Sequence, residues 1–425
     1  MFGNSLYFLK QFLKKFTTMK FTQKRNKKMN EKMKLSIPHN WQNDLIDNLN
    51  LTYVEELYGK KETDIIGGGR ASNISPPVSK NKLASEIKKA HSQGLKFNYL
   101  LNSTCLDNQE LSHLMQKKIR KHLDWLVEIG VDRITVSLPY LLKLIKKNYP
   151  LFEISISTMS FVDTPDKAKY WEDLGASKIT LYEVIVNRDL ELLQQIRKAV
   201  NCKLQLITNN ACLYDCPFTT YHALLSSHAS QKNHFLHGFI IDFYRILCTY
   251  LRAKDLTNFI RADWIRPEDV ALYEKIGIDS LKIVNRGMAT PFLKKIVQAY
   301  TERKYQGNLL DLIPSPSKNI SFNKLNFWYI FKYFFRPHLI NIFKLPSLKK
   351  IFKDDIIYID NQKLDGFLLG LQNQKCAERS CKECQYCKEK AEEVIKVDTE
   401  ALKKNKQELE EILKEFTSGE LFKYL

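Results

Sequence analysis

Leu204-Gln-Leu-Ile-Thr-Asn-Asn-Ala-Cys-Leu-Tyr-Asp-Cys-Pro217 decides how the chain reads. Leu204–Thr208 has the composition of a buried strand. Asn209 and Asn210 tolerate a turn, which delivers two thiols, Cys212 and Cys216. A strand whose C-terminal end empties into metal-type ligands is how α/β barrels and open α/β sheets build sites.

Working outward, eight more short β-type runs alternate with helical segments. They are 34–37, 53–58, 97–101, 133–138, 153–157, 178–183, 261–266 and 280–284. The helical pattern is clearest at 107–129, where Leu111, Met115, Ile119, Leu123 and Leu126 recur on one face. Helices are also predicted over 165–174, 190–200 and 267–276. Gly-Val-Asp before Arg133, Gly-Ala-Ser before Lys178 and Gly-Ile-Asp before Ser280 repeat one device, a glycine ending a helix just ahead of a strand. The alternation predicts an α/β fold, a (β/α)8 TIM-type barrel with a C-terminal cysteine-rich α-helical appendage. Nine runs are one too many for such a barrel.

The chain has 425 residues and a net charge of +19. Residues 1–34 carry ten Lys/Arg against Glu31 alone, so nearly half the excess sits in a short tail. Leu6, Leu9, Leu13 and Phe16 have helical spacing with lysines between, which suits an anionic membrane or nucleic acid. The alternative is a disordered tail or an overextended start, with Met19, Met29 and Met33 as further initiators. The tail makes a poor secretion signal, because lysines interrupt its apolar run. The expected organisation is a basic tail over 1–32, the barrel over 33–312, a proline-containing linker over 313–319, and 320–425 as an aromatic and basic segment, a four-cysteine cluster and a terminal helix. Residues 318–353 hold ten aromatics and eight Lys/Arg, which reads either as a nucleic-acid surface or as an appendage packing on the barrel.

No run is long and apolar enough for a transmembrane segment. Nine clustered cysteines argue for a reducing, cytoplasmic setting and metal ligation over a disulfide scaffold. Cys376, Cys381, Cys384 and Cys387 follow C-x4-C-x2-C-x2-C spacing among polar residues. The C-x2-C-x2-C part matches a ferredoxin-type run, whereas structural zinc more often uses two separated pairs. This second site is open between an iron–sulfur cluster and zinc. At the first, Cys212 and Cys216 need partners; Cys248 is the best third ligand, and Cys105 or a histidine the fourth. A Cys212–His222 nucleophilic pair competes for the same thiol. Cys202, at a helix-to-strand turn, receives no role.

Gly67-Gly-Gly-Arg70 can offer backbone N–H groups and a guanidinium to an anion. Arg188, Arg266 and Arg286 stand at strand ends and suggest an anionic substrate. Glu56 and Glu183 are the candidate proton-transfer groups. There is no Gly-x-Ser-x-Gly elbow and no His-Glu-x-x-His helix.

Several stretches together resemble the collagenase-like peptidase U32 family. They are Glu56-Leu-Tyr-Gly, Phe97-Asn-Tyr-Leu-Leu-Asn, Asn209-Asn-Ala-Cys-Leu-Tyr-Asp-Cys-Pro, Ile265-Arg-Pro-Glu-Asp and the run Tyr273 to Arg286, followed by Tyr305-Gln-Gly-Asn-Leu. The resemblance covers about residues 34–310. It implies a (β/α)8 barrel and, for several members, a 4Fe–4S cluster and hydroxylation without dioxygen. Their substrates are RNA bases or quinone precursors, and prephenate is the oxygen donor of the RNA-modifying members. The family's signature block, Glu-x-Phe-x-His-Gly-x-x-Cys-x-Ala-x-Ser-Gly-x-Cys, is replaced here by Leu204–Cys212, with Cys212 matching its first cysteine.

The expectation is therefore an iron–sulfur enzyme using Cys212, Cys216 and Cys248 for oxygen-independent hydroxylation of an RNA base or an aromatic or quinone precursor. The alternatives are a peptidase with a peptide substrate and a non-catalytic scaffold. Expected partners are an anionic small molecule such as prephenate, RNA, and a paralogue in a hetero-oligomer.

Overall fold

The computed structural model describes residues 33–315 except 237, then 318, 331–332, 335, 339–344, 356–374, 376 and 378–422. The basic tail and most of the aromatic and basic stretch lie outside the described residues.

Eight parallel strands close into a barrel: β1 (Lys34–Pro38), β2 (Val54–Gly59), β3 (Lys96–Leu101), β4 (Arg133–Val136), β5 (Glu153–Ile156), β6 (Lys178–Thr180), β7 (Lys203–Ile207) and β8 (Ser280–Lys282). Closure is made by β1 on β8, with Lys34 opposite Ser280 and Ser36 opposite Lys282. The strands are buried along nearly their whole length, as a sheet covered outside by helices and filled inside by side chains requires.

The surrounding helices form where the sequence supplies both an apolar face and an end signal. Helix Pro165–Leu174 starts with Thr164 accepting from the Lys167 N–H and ends at Gly175 with φ 110°. Gly130 and Gly277 also have positive φ, the left-handed geometry that closes a helix before its strand. The segment expected as one helix over 107–129 is a short 3-10 turn, Gln109–Leu111, followed by helix His113–Glu128, capped by the Ser112 hydroxyl at the Met115 N–H.

The surplus run is 261–266. β7 pairs directly with β8, so no strand stands between them. Ala262–Arg266 is nonetheless buried throughout, which is why it reads as a strand. Its backbone bonds go elsewhere. Asn187 donates to the Asp263 carbonyl at 2.7 Å, Arg188 Nε to the Ala262 carbonyl at 2.9 Å, and the Ile265 N–H to the Thr208 carbonyl at 2.7 Å. An extended, buried segment satisfied by side chains mimics a strand in composition while lacking a ladder.

The C-terminal segment adds a two-stranded antiparallel sheet, β9 (Ile357–Ile359) with β10 (Ile395–Val397), and several helices. Ile357, Phe367, Leu371 and Val394 belong to the same continuous core as the barrel side chains. The single terminal helix expected after the four cysteines is broken by β10 into Tyr386–Val394 and Thr399–Ser418. Leu409 and Ile412 of the latter pack with Ile246 and Ala253 of helix Phe243–Lys254.

Candidate functional site

A cavity of about 700 Å³ opens at the C-terminal end of the barrel. β7 leads through Asn209 and Asn210 to Cys212 and Cys216. Helix Phe243–Lys254, folded over the mouth, brings Cys248. All three thiols line the cavity. Asn209 fixes the base of the loop: its Nδ2 donates to the Leu312 carbonyl at 3.0 Å, and its Oδ1 accepts from the Val284 N–H at 2.8 Å. The loop is thus tied to the end of β8. Asn210 Nδ2 lies 3.2 Å from Cys212 Sγ, and the Cys212 N–H donates to Asp263 at 2.8 Å.

Two carboxyl groups flank Cys212. Burial, then the charge of Glu183, pushes Asp263 up to about 7. Glu183 is also raised by burial, although the Thr158 hydroxyl and Asn210 donate to it. Both therefore retain protons at pH values where free carboxyls are ionised. Burial raises the Cys212 thiol as well, helped by Asp263, Glu183 and Cys248. Arg252 pulls the other way without overcoming them, and the thiolate that metal coordination requires is one that coordination itself promotes.

On the β8 side the cavity is cationic. Lys282 and Arg286 are buried and line it. Among the described residues neither forms an ion pair. The Lys282 ammonium lies 4.3 Å from the Tyr58 ring centroid. Burial, then Lys178 and Arg286, brings its pKa down to about 7. Burial lowers Arg286 too. A desolvated cation without a carboxylate costs several kcal/mol, a cost offset when an anion binds. Arg70 joins them at the cavity wall. The N–H groups of its glycine run do not cradle a ligand. Gly67 donates to Asp64, Gly68 to Ser230 and Gly69 to Asn102.

Other sequence candidates lie elsewhere. Glu56 is fully buried inside the barrel. It accepts from Ser36 at 2.7 Å and from Asn98 at 3.3 Å, and pairs with Arg133 and Lys178. It does not line the cavity, and its contacts make it part of the barrel's interior polar layer. Arg188 turns away from the mouth: it binds the carbonyls of Ala262 and Ile260 and stacks at 3.9 Å over Trp264. Arg266 anchors the C-terminal segment through Asn361 at 3.0 Å, the Leu364 carbonyl at 2.7 Å and Asp365. Cys105 groups with Asp107 and His228, their ligand atoms lying within 4.8 Å of one another, and is absent from the barrel-mouth cavity. Cys202 stands at the start of β7, at the opposite end.

Asp263 and Lys282 carry no mark in the sequence reading. Asp263 sits in the run that reads as a strand. Lys282 had a usable signal, a lysine in the otherwise apolar end of a barrel strand, in register with inward-facing Ser36. His222, paired with Asp242 at 2.7 Å, also lines the cavity.

A model of peptidase family U32 matches residues 69–306. The chain belongs to this family. The uncharacterized protease MJ1657 of Methanocaldococcus jannaschii is 30% identical over 338 residues, 79% of this chain and 87% of that protein. The tRNA hydroxylation protein P of Escherichia coli is 25% identical over 150 residues, 35% of this chain and 30% of its own length. Among solved structures, the U32 peptidase Mk0906 aligns over 59% of this chain and 91% of its own, with 21% identity and a TM-score of 0.45. The family model's match lies within the barrel, and the four cysteines at 376–387 fall outside it. Among the described residues no helix is long and apolar enough to cross a membrane.

Proposed function

We propose that this U32 chain is an iron–sulfur enzyme that hydroxylates an RNA base without dioxygen, using a small anionic oxygen donor bound at the barrel mouth. The observation that carries the reading is the convergence of three thiols with two buried, unpaired cations on one cavity. The tRNA hydroxylation relative supports the reaction class. Cys212, Cys216 and Cys248 suit an iron–sulfur group with one position not taken by a cysteine of this cavity. Such a group, when bound, supplies redox chemistry that side chains lack.

The chain's own residues do the rest. Arg286 and Lys282 hold the donor's carboxylates, and Arg70 lines the same cavity. A dicarboxylate such as prephenate matches this charge. Tyr58, whose hydroxyl donates to the Ile283 carbonyl at 2.8 Å, fixes the wall beneath the ammonium. Glu183 and Asp263, held protonated by burial, keep protons next to Cys212 and limit the charge that thiolates bring into a desolvated site. Helix Phe243–Lys254, held by the C-terminal helix, covers the mouth and restricts water.

A peptidase reading has one structural support, the His222–Asp242 pair in the same cavity. It is weakened by the half-buried, acid-flanked Cys212, whose raised thiol pKa makes it a poor nucleophile. Mass spectrometry of nucleosides from cells with and without the gene tests the reading. The expected result is one hydroxylated nucleoside that disappears without the gene and is not restored by Cys212→Ser. An unchanged nucleoside profile overturns RNA hydroxylation; a changed quinone profile instead moves the substrate to an aromatic precursor.

A further inference from the structure

Cys376, Cys381, Cys384 and Cys387 all line a second, small cavity, together with Arg261, Arg379 and other neighbours. None of the barrel-mouth thiols contributes to it. We infer that these four cysteines hold an iron–sulfur cluster of the four-iron class, in a site separate from the barrel mouth and independent of the reaction proposed there.

Local backbone geometry builds the cradle. Cys381–Cys384 is a single helical turn, and Cys387 stands in the next helix, Tyr386–Val394. Gln385 between them adopts a left-handed conformation, φ 51°. That reversal lets Cys387 face the same space as Cys381 and Cys384. The floor is firm. The Tyr386 ring stacks on Phe367 at 5.5 Å with 3° between planes, and its hydroxyl donates to the Phe367 carbonyl at 3.2 Å. Phe367 packs on Trp264 at 5.9 Å. The cradle is thus mounted on the barrel core through Tyr386, Phe367 and Trp264.

The donor set and its spacing select the ligand class. All four thiols are free, in a polar segment where Cys387 alone of the four packs against the main core. A single tetrahedral zinc at about 2.3 Å from each sulfur draws thiolates to about 3.8 Å from one another. The C-x2-C-x2-C spacing of Cys381, Cys384 and Cys387 matches the three-ligand run of bacterial-type ferredoxins, not the two separated pairs usual for structural zinc. A four-iron cluster spreads its thiolates, because each binds a different iron. Binding releases the four thiol protons and leaves a net negative cluster, which Arg261 and Arg379 at the cavity wall complement.

Full-length protein reconstituted with ferrous iron and sulfide without oxygen tests this. Iron, acid-labile sulfide and zinc are counted per folded chain in wild type, in Cys212→Ser/Cys216→Ser/Cys248→Ser and in Cys381→Ser/Cys384→Ser, with circular dichroism confirming folding. The barrel-mouth triple variant should keep about four irons and four sulfides, and the Cys381/Cys384 variant should lose that share. Cys376→Ser, a single exchange at an exposed position, should weaken cluster retention even if the double variant fails to fold. A triple variant without iron, or with one zinc and no sulfide, overturns the inference. A wild type that holds no more iron and sulfide than the triple variant would leave it standing while removing the cluster from the proposed active site.

Discussion

At the scale of single residues, the cavity is defined by charges the fold leaves unmatched. Glu56 and Arg133 show the opposite case. Both are buried, yet they satisfy each other with Ser36, Asn98, Lys178 and Glu153 around them. Among the described residues Lys282 and Arg286 form no such ion pair, and a bound anion offsets their cost. Lys282 gives this a pH signature. Its folded pKa of about 7 lies below its usual 10.5. The ligand-free fold therefore gains stability from this group as pH rises from 7 toward 10.5, whereas below 7 folded and unfolded chains both carry the proton and the group's cost is full and constant. An anion bound beside it restores the charged form, so binding takes up a proton above pH 7. Calorimetric titration with prephenate should show affinity falling above pH 7, by at most about tenfold per pH unit for one linked proton. Lys282→Met should bind more weakly and flatten the profile. A wild-type affinity independent of pH between 7 and 9 would remove Lys282 from the anion site.

At the scale of elements, the mouth depends on one helix held by another. Phe243–Lys254 carries Cys248, and its outer face is covered by Leu409 and Ile412 of Thr399–Ser418. Leu409 is fully buried. Leu409→Ala should cost about 2–5 kcal/mol locally. Hydrogen exchange in 243–254 should accelerate while the amides of β3 and β4 stay protected. Unchanged exchange in 243–254 would mean that the terminal helix does not support the mouth. The same scale explains what the sequence could reveal. Strands, glycine-terminated helices and the closed barrel follow from local patterns that agree with the global fold. The segment 261–266 defeats such reading because burial, not pairing, sets its composition. Its bonds come from Asn187 and Arg188, whose partners are some 75 residues away. Arg188 and Arg266 deceive for a related reason: a strand-end arginine serves a ligand or a neighbouring segment equally well until the packing is known.

At the scale of the whole molecule, the C-terminal segment does more than decorate the barrel. Leu402 and Asn405 line the mouth cavity, while residues 376–387 build the second thiol site against Trp264 and Phe367. Cys212, Cys216 and Cys248 were legible as a group because each follows or overlies a strand end. The assignment of Cys105 rested on the same strand-end logic, but its loop turns toward Asp107 and His228 instead. The account as a whole rests on the barrel mouth holding an iron–sulfur group beside an anion site. Its most direct test is the iron and sulfide content of the Cys381→Ser/Cys384→Ser protein, in which the barrel mouth is the one remaining thiol cluster. Prepared without oxygen, it should hold about four irons and four sulfides and lose them on adding Cys212→Ser. A folded protein that takes up no iron, or that keeps its iron after Cys212→Ser, would contradict it.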